Sequence, residues 1–327
     1  MQATIELNNE QVTEPHGRRR RRALLLAPFA LIMALAVPYF TINDEPDRLD
    51  AAARQGAPGS FVRLSAGYTY YELAGPEDGH PVVLVHGVTI PSFVWDHNFE
   101  ALGEAGWRAV RYDLYGRGLS DRPEASYDLD FYVRQLSELL AQVAPGKPVD
   151  LVGLSMGGMI VSEFALRQPD QVRKLVLFDP AGVGTKMPLA AKVAVLPGAG
   201  EYLMRVAGTR YLLSGSRYLL HPDRYPDFDS THRKTIRFQG SRRAVLESVR
   251  KMPINQYEAG YRELGALGKP ILLVWGHHDT IIPFSTSERV RELVRPTTFV
   301  AVEEAGHLPN YERPDVVNAA LLDFLAK

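Results

Sequence analysis

A serine stands between two glycines in Gly153-Leu154-Ser155-Met156-Gly157, a G-x-S-x-G pattern directly after the apolar run 149–154 and directly before a helical stretch at 156–168. A nucleophile on so tight a strand-to-helix turn holds a strained backbone, and the residues two places before and after it must lack side chains for the turn to close. The helix that starts beside it aims amide N–H groups and its positive dipole end at negative charge developing there. Serine at its ordinary pKa is a poor nucleophile and needs a base that is itself held by an acid. Of nine histidines, His307 in Glu304-Ala305-Gly306-His307-Leu308-Pro309 follows the last strand-like run and precedes the last helical stretch, and is the candidate base. His16 lies in the N-terminal tail, His221 and His232 in a helical insertion, and His80, His86 and His97 before the serine; His277 and His278 flank a candidate acid. Two aspartates compete for the acid's place: Asp279 after Trp275-Gly276-His277-His278, and Asp179 in Phe178-Asp179-Pro180. Both end strand-like runs, at the sheet edge where open α/β folds build their sites. Asp279 sits in a Gly-containing loop with room to reach an imidazole and is preferred; Asp179 would then orient the loop beside it. Asp113 reads as structural, a tie for the loop Leu114-Tyr115-Gly116-Arg117-Gly118 that follows it.

Such a set works only if regular elements hold it. Short runs rich in Val, Leu and Ile lie at 81–86, 109–113, 149–154, 174–178, 271–275 and 298–302. They show little alternation, as strands buried on both faces do. Helical stretches at 130–143, 156–168, 285–294 and 314–326 fall between most of them. Strands alternating with helices predict an α/β fold with a mostly parallel sheet. The alternating segment 61–74 predicts an antiparallel hairpin at one edge. Residues 182–267 carry no clear strand but hold amphipathic runs at 190–196, 201–206 and 242–251. A structureless loop of that length is rare in a compact domain, so this stretch is expected to be a helical cap packed over the sheet. The core is then 61–181 and 268–327.

The order Ser155, Asp279, His307 resembles that of the α/β-hydrolase family, in its cap-bearing, serine-nucleophile, esterase/lipase-like branch. The resemblance covers residues 61–327 and rests on His86-Gly87, on Asp113 with Gly116-Arg117-Gly118-Leu119-Ser120, on the Ser155 turn, on Trp275-Gly276 with Asp279, and on Gly306-His307. It implies an eight-stranded sheet flanked by helices, with the cap after strand six. It also implies an oxyanion hole from the backbone N–H groups of Val88 and Met156, with His86 packing and bonding its loop. The implied chemistry is two-step acyl transfer without a metal or organic cofactor: His307 takes the Ser155 proton, Asp279 steadies the imidazolium, and water releases the acid. An ester hydrolase is the default, acting on lipophilic esters such as a monoacylglycerol or lysophospholipid. Aspartate-nucleophile dehalogenase and epoxide chemistry does not fit Ser155. An acyltransferase, a cofactor-free haloperoxidase, a C–C bond hydrolase and a non-catalytic binding module remain as alternatives on the same frame. Phe93, Trp95, Tyr202, Tyr211 and Tyr218 are candidates for an acyl pocket. Arg205, Arg210, Arg217, Arg233, Arg237, Arg242 and Arg243 are candidates for headgroup contacts, against the plainer readings of packing and a solvated face.

The remaining signal is N-terminal. Arg18–Arg22 are five consecutive arginines, followed by an uncharged stretch at 23–42. Twenty helical residues span about 30 Å, the thickness of a bilayer core. The segment is read as an uncleaved single-pass anchor, with a cleaved signal or a twin-arginine export signal as alternatives. The positive-inside rule puts the basic tail 1–22 in the cytoplasm and the catalytic part, after a polar linker at 43–60, on the other side. The chain has 327 residues and 37 basic against 38 acidic side chains. Five and three of these lie before residue 43, which leaves 32 basic and 35 acidic. That balance argues against nucleic acid as a partner. With no cysteine, disulfides, thiolate metal sites and cysteine nucleophiles are excluded. The expected partners are a small ester or lipid and, through the N-terminal helix, a membrane; oligomeric state stays open.

Overall fold

A computed structural model describes residues 16–184, 189–214 and 217–327, with the side chains of 16–27 and 189–191 outside the description. Eight strands form one sheet: β1 (Ser60–Leu64), β2 (Gly67–Ala74), β3 (Pro81–Val85), β4 (Arg108–Tyr112), β5 (Val149–Leu154), β6 (Val172–Phe178), β7 (Ile271–Gly276) and β8 (Thr298–Val302). Their order is β1-β2-β4-β3-β5-β6-β7-β8. β1 and β2 form the expected hairpin, β2 pairs antiparallel with β4, and every other pair is parallel.

The missing alternation in the strands has a direct cause. In β3, Val83 and Val85 join one apolar core while Val82 and Leu84 join the other, on the opposite face. β7 divides in the same way, Leu273 and Trp275 to one side and Leu272 and Val274 to the other. The first core packs under helices Leu129–Val143 and Met156–Arg167; the second packs under Asp96–Glu104 and Pro314–Ala326. Helix Leu129–Val143 starts where Asp128 Oδ1 accepts the Phe131 N–H at 2.9 Å, an N-cap that satisfies one orphan donor. The helix Asp96–Glu104, not foreseen in the sequence, is too short for its periodicity to stand out.

Chain direction away from the sheet centre reverses at β3 and β5, the switch point outside whose C-terminal strand ends open α/β sheets build their sites. Gly87 and Ser155 lie on the loops after those two strands.

Between β6 and β7 the described residues form helices and no strand, including Leu189–Ala194, Ala199–Val206, Phe228–Ile236, Ser241–Lys251 and Glu258–Ala266. Within the expected linker 43–60, residues 44–60 are bound to the body of the protein. Glu45 accepts the backbone N–H groups of Gly240 and Arg242, at 3.1 and 2.6 Å, at the start of helix Ser241–Lys251. Asp47 pairs with Arg237, and Arg54 with Asp121. Acids meeting a helix N-terminus and its arginines explain the docking.

The N-terminal unit, Met1–Asn43, contains one 26-residue helix, His16–Thr41, with Pro28 and Pro38 inside it. Among the described residues no helix is long and apolar enough to cross a membrane. The reading of 23–42 as a spanning segment therefore finds no support among the described residues. Phe29, Leu31, Ile32 and Phe40 are exposed on this helix. The tail's residues 1–15 lie outside the described residues.

Candidate active site

Ser155 leaves β5 with φ at 54°, in a region that costs a non-glycine residue of order 1–3 kcal/mol. Its N–H donates to Phe178 O at 2.8 Å, and its carbonyl accepts from Gly158 and Ala181 N–H at 3.0 and 3.1 Å. The flanking glycines are sterically required. A Cβ on Gly153 would lie 2.4 Å from Gly157 O, and one on Gly157 would lie 2.2 Å from Val85 O.

His307 Nδ1 and Asp279 Oδ2 are 2.7 Å apart and buried. The other oxygen of Asp279 accepts from Ile281 and Ile282 N–H at 2.7 and 2.9 Å, so the carboxylate is aimed by its own loop. Between the two candidate acids the structure therefore pairs Asp279 with the histidine. Asp179 Oδ1 is taken by Gly276 N–H at 2.9 Å. One N or O atom from each of Asp179, Asp279 and His307 falls within 4.8 Å of the others. Within this group His307 Nδ1 and Asp279 Oδ2 are engaged with each other. The Ser155 hydroxyl lies at the same sheet edge but makes no hydrogen bond to His307 among the described residues. Such bonds are often loose without substrate and tighten in its complex.

A Cβ on Gly87 would stand 3.3 Å from Ser155 Cβ and 3.8 Å from its Oγ, so the loop after β3 runs against the serine. Neither the Val88 nor the Met156 N–H has a backbone or side-chain acceptor among the described residues, which leaves both available to a ligand oxygen. His86 is fully buried and bridges this loop, Nδ1 donating to Gly87 O at 2.8 Å and Nε2 accepting from Leu114 N–H at 2.9 Å. Desolvation pushes its pKa down to about 3, so it stays neutral. Asp113 is a structural tie, accepting from Ser92 N–H and Oγ at 2.9 and 2.6 Å and from Leu119 N–H at 2.8 Å.

Two residues at the site escaped the sequence reading. Arg117 donates to Val88 O at 2.8 Å, to Tyr115 O at 3.1 Å, to Tyr132 Oη, and to Ser248 Oγ in the insertion at 2.7 Å. Glu312 accepts from Gly306 N–H at 2.7 Å beside the catalytic histidine candidate, and from Leu220 and His221 N–H at 2.7 and 3.0 Å. Arg117 lies within the Gly116-Arg117-Gly118 piece, a usable signal; nothing near Glu312 marks it.

The proposed pocket aromatics separate. Tyr218 is buried, its ring 6.5 Å from that of His307, and its carbonyl accepts the His307 N–H. Its hydroxyl accepts from Thr89 at 3.1 Å, while His232 lies 3.2 Å from Thr89 O. Phe93 packs on Phe228, Trp95 is core against Phe178, Tyr202 is half-buried, and Tyr211 is exposed beneath Arg217. Several arginines suggested for headgroups are held within the protein: Arg237 by Asp47, Arg242 by Glu45, Arg243 by the carbonyls of Arg122 and Pro123.

A sequence profile of the alpha/beta hydrolase family matches residues 82–320. RutD of Variovorax paradoxus (strain S110), a candidate carbamate hydrolase, is 27% identical over 79% of this chain and 96% of its own length. The carboxylesterase YbfK of Bacillus subtilis is 26% identical over 81% and 86%. Among solved structures, a membrane phospholipase A described as a bacterial virulence factor is 25% identical with a TM-score of 0.67, covering 95% of this chain and 98% of that one.

Proposed function

The chain belongs to the alpha/beta hydrolase family, and from that premise we propose that it is a serine esterase in which Ser155 attacks an ester carbonyl. His307 takes the hydroxyl proton, and Asp279, at 2.7 Å from Nδ1, fixes the ring's tautomer and stabilises the imidazolium. The N–H groups of Val88 and Met156 receive the oxyanion, whose full charge exists only in the tetrahedral intermediate. His307 then returns the proton to the leaving alcohol, and a water activated in the same way frees the acid. The observation that carries this reading is the buried His307–Asp279 pair at the sheet edge beside a serine held at positive φ.

The substrates proposed are lipophilic esters such as a monoacylglycerol or lysophospholipid. Support comes from the exposed apolar side chains of helix His16–Thr41 and from the likeness, over nearly the whole chain, to a membrane phospholipase A. An enzyme carrying such a helix meets amphiphiles where they concentrate. The arginine run before an apolar segment supports placing the catalytic unit on the non-cytoplasmic side, whether or not that segment is retained.

The test is hydrolysis of chromogenic acyl esters of increasing chain length by the full chain in detergent, beside Ser155→Ala. Turnover by the wild type that rises with chain length and vanishes in the variant supports the proposal. A preference for the shortest acyl group removes the lipid substrate, and undiminished turnover by Ser155→Ala removes the nucleophile.

A further inference from the structure

We propose that Asp179 is a neutral carboxylic acid whose O–H donates to Asp279, setting how strongly Asp279 holds His307. The inference rests on the triad reading above and adds a positioning residue to it.

Asp179 follows β6, is fully buried, and has φ at 41°, a conformation a non-glycine residue keeps only where its surroundings enforce it. Its Oδ1 accepts the Gly276 N–H at 2.9 Å, while Oδ2 is buried with no hydrogen-bond partner. An oxygen of Asp179 lies within 4.8 Å of an Asp279 oxygen and of a His307 ring nitrogen. The titratable groups that face it are Asp279 from the loop after β7, His307 from the loop after β8 and Glu312 from the turn of helix Pro309–Glu312. Among the described residues no lysine or arginine forms an ion pair with either aspartate.

Two carboxyl groups this close, this buried and without a cation do not both ionise. The count of donors decides which one keeps the proton. Asp279 accepts from two backbone N–H groups and from His307, all of which favour its charged form. Asp179 accepts from one. Burial first, then the neighbouring Asp279 charge, hold the Asp179 carboxyl well above the ordinary carboxylate range. A proton on Oδ2 turns the orphaned oxygen into a donor, and the Asp279 carboxylate is the acceptor within reach.

An Asp279 that already accepts this bond is a weaker base, so it stabilises imidazolium less. His307 then stays neutral, and able to accept the serine proton, to lower pH than it would with Asp279 alone.

Asp179→Asn separates the roles, because its amide oxygen still accepts from Gly276 and its N–H still donates to Asp279; Asp179→Ala loses both. With the full chain, kcat/KM against pH is measured on a chromogenic ester, together with the infrared carbonyl stretch of protonated carboxyl at pH 8. Expected are Asp179→Asn within about threefold of wild type with an unmoved acidic limb, and Asp179→Ala about tenfold or more lower with that limb displaced upward. A protonated-carboxyl band in the wild-type minus Asp179→Asn difference spectrum completes the result. The proposal is overturned if Asp179→Asn falls as far as Asp179→Ala, or if the difference spectrum holds no such band. If wild type cleaves no ester, the esterase reading fails, and the difference spectrum still decides the protonation of Asp179.

Discussion

Arg117 Nε donates to the Val88 carbonyl at 2.8 Å, and the same guanidinium reaches Ser248 Oγ at 2.7 Å. One buried side chain thus ties the loop that presents the Val88 N–H to a helix of the insertion, Ser241–Lys251. The position of the proposed oxyanion donor and the seating of the insertion are set by the same fork.

Replacing that fork with a point charge is expected to loosen the loop without removing the charge. Arg117→Lys cannot reach all four acceptors, and each buried acceptor left unpaired costs about 1–3 kcal/mol. Turnover should fall about tenfold or more with KM nearly unchanged, because the donor acts on the tetrahedral intermediate. Steady-state kinetics on a soluble ester check this; an equal rise in KM with unchanged kcat would instead place Arg117 in ground-state binding.

Ser155→Ala and Asp279→Asn should each lower kcat by about 10⁴-fold or more while leaving the melting temperature close to wild type for the serine variant. Labelling by a fluorophosphonate should vanish in Ser155→Ala and slow in Asp279→Asn. Undiminished labelling of the serine variant would put the nucleophile elsewhere.

Glu312→Gln retains one acceptor oxygen but turns an NH₂ group toward a backbone N–H among Gly306, Leu220 and His221. A loss of about 1–3 kcal/mol in stability and a fall in kcat are expected, since the His307 loop and the chain at 220–221 share this carboxylate. Urea unfolding and turnover measured on the same preparation test whether the two move together.

His232 is buried in the insertion, its pKa pushed down to about 4 by desolvation. Unfolded, it takes up a proton near pH 6.5; folded, it does not until about pH 4. Its contribution to stability is therefore intact above pH 6.5 and lost as pH falls toward 4, at about 1.4 kcal/mol per pH unit. His232→Gln, which can still donate to Thr89 O, should flatten the acid side of the stability curve by that slope. Denaturant midpoints between pH 7.5 and 4.5 would show it, and parallel curves for the two proteins would refute it.

Much of this molecule is readable along the chain because its causes are local. Two glycines flank Ser155 because the turn cannot close otherwise, and that demand is written within five residues. The strands β3 and β7 announce themselves as unbroken apolar runs, since neighbours such as Val82 and Val83 enter different cores. The alternation in 61–74 likewise marks the hairpin of β1 and β2. The choice between Asp179 and Asp279 is of another kind: both end parallel strands, and which of them meets His307 depends on the direction each loop takes off the sheet. Arg117 with Ser248, Glu312 with Leu220, and Glu45 with Arg242 join residues about 90 to 200 positions apart. Neither periodicity nor motif spacing encodes such pairs, because a buried polar group takes its partner from whatever the packed layers bring within hydrogen-bond reach.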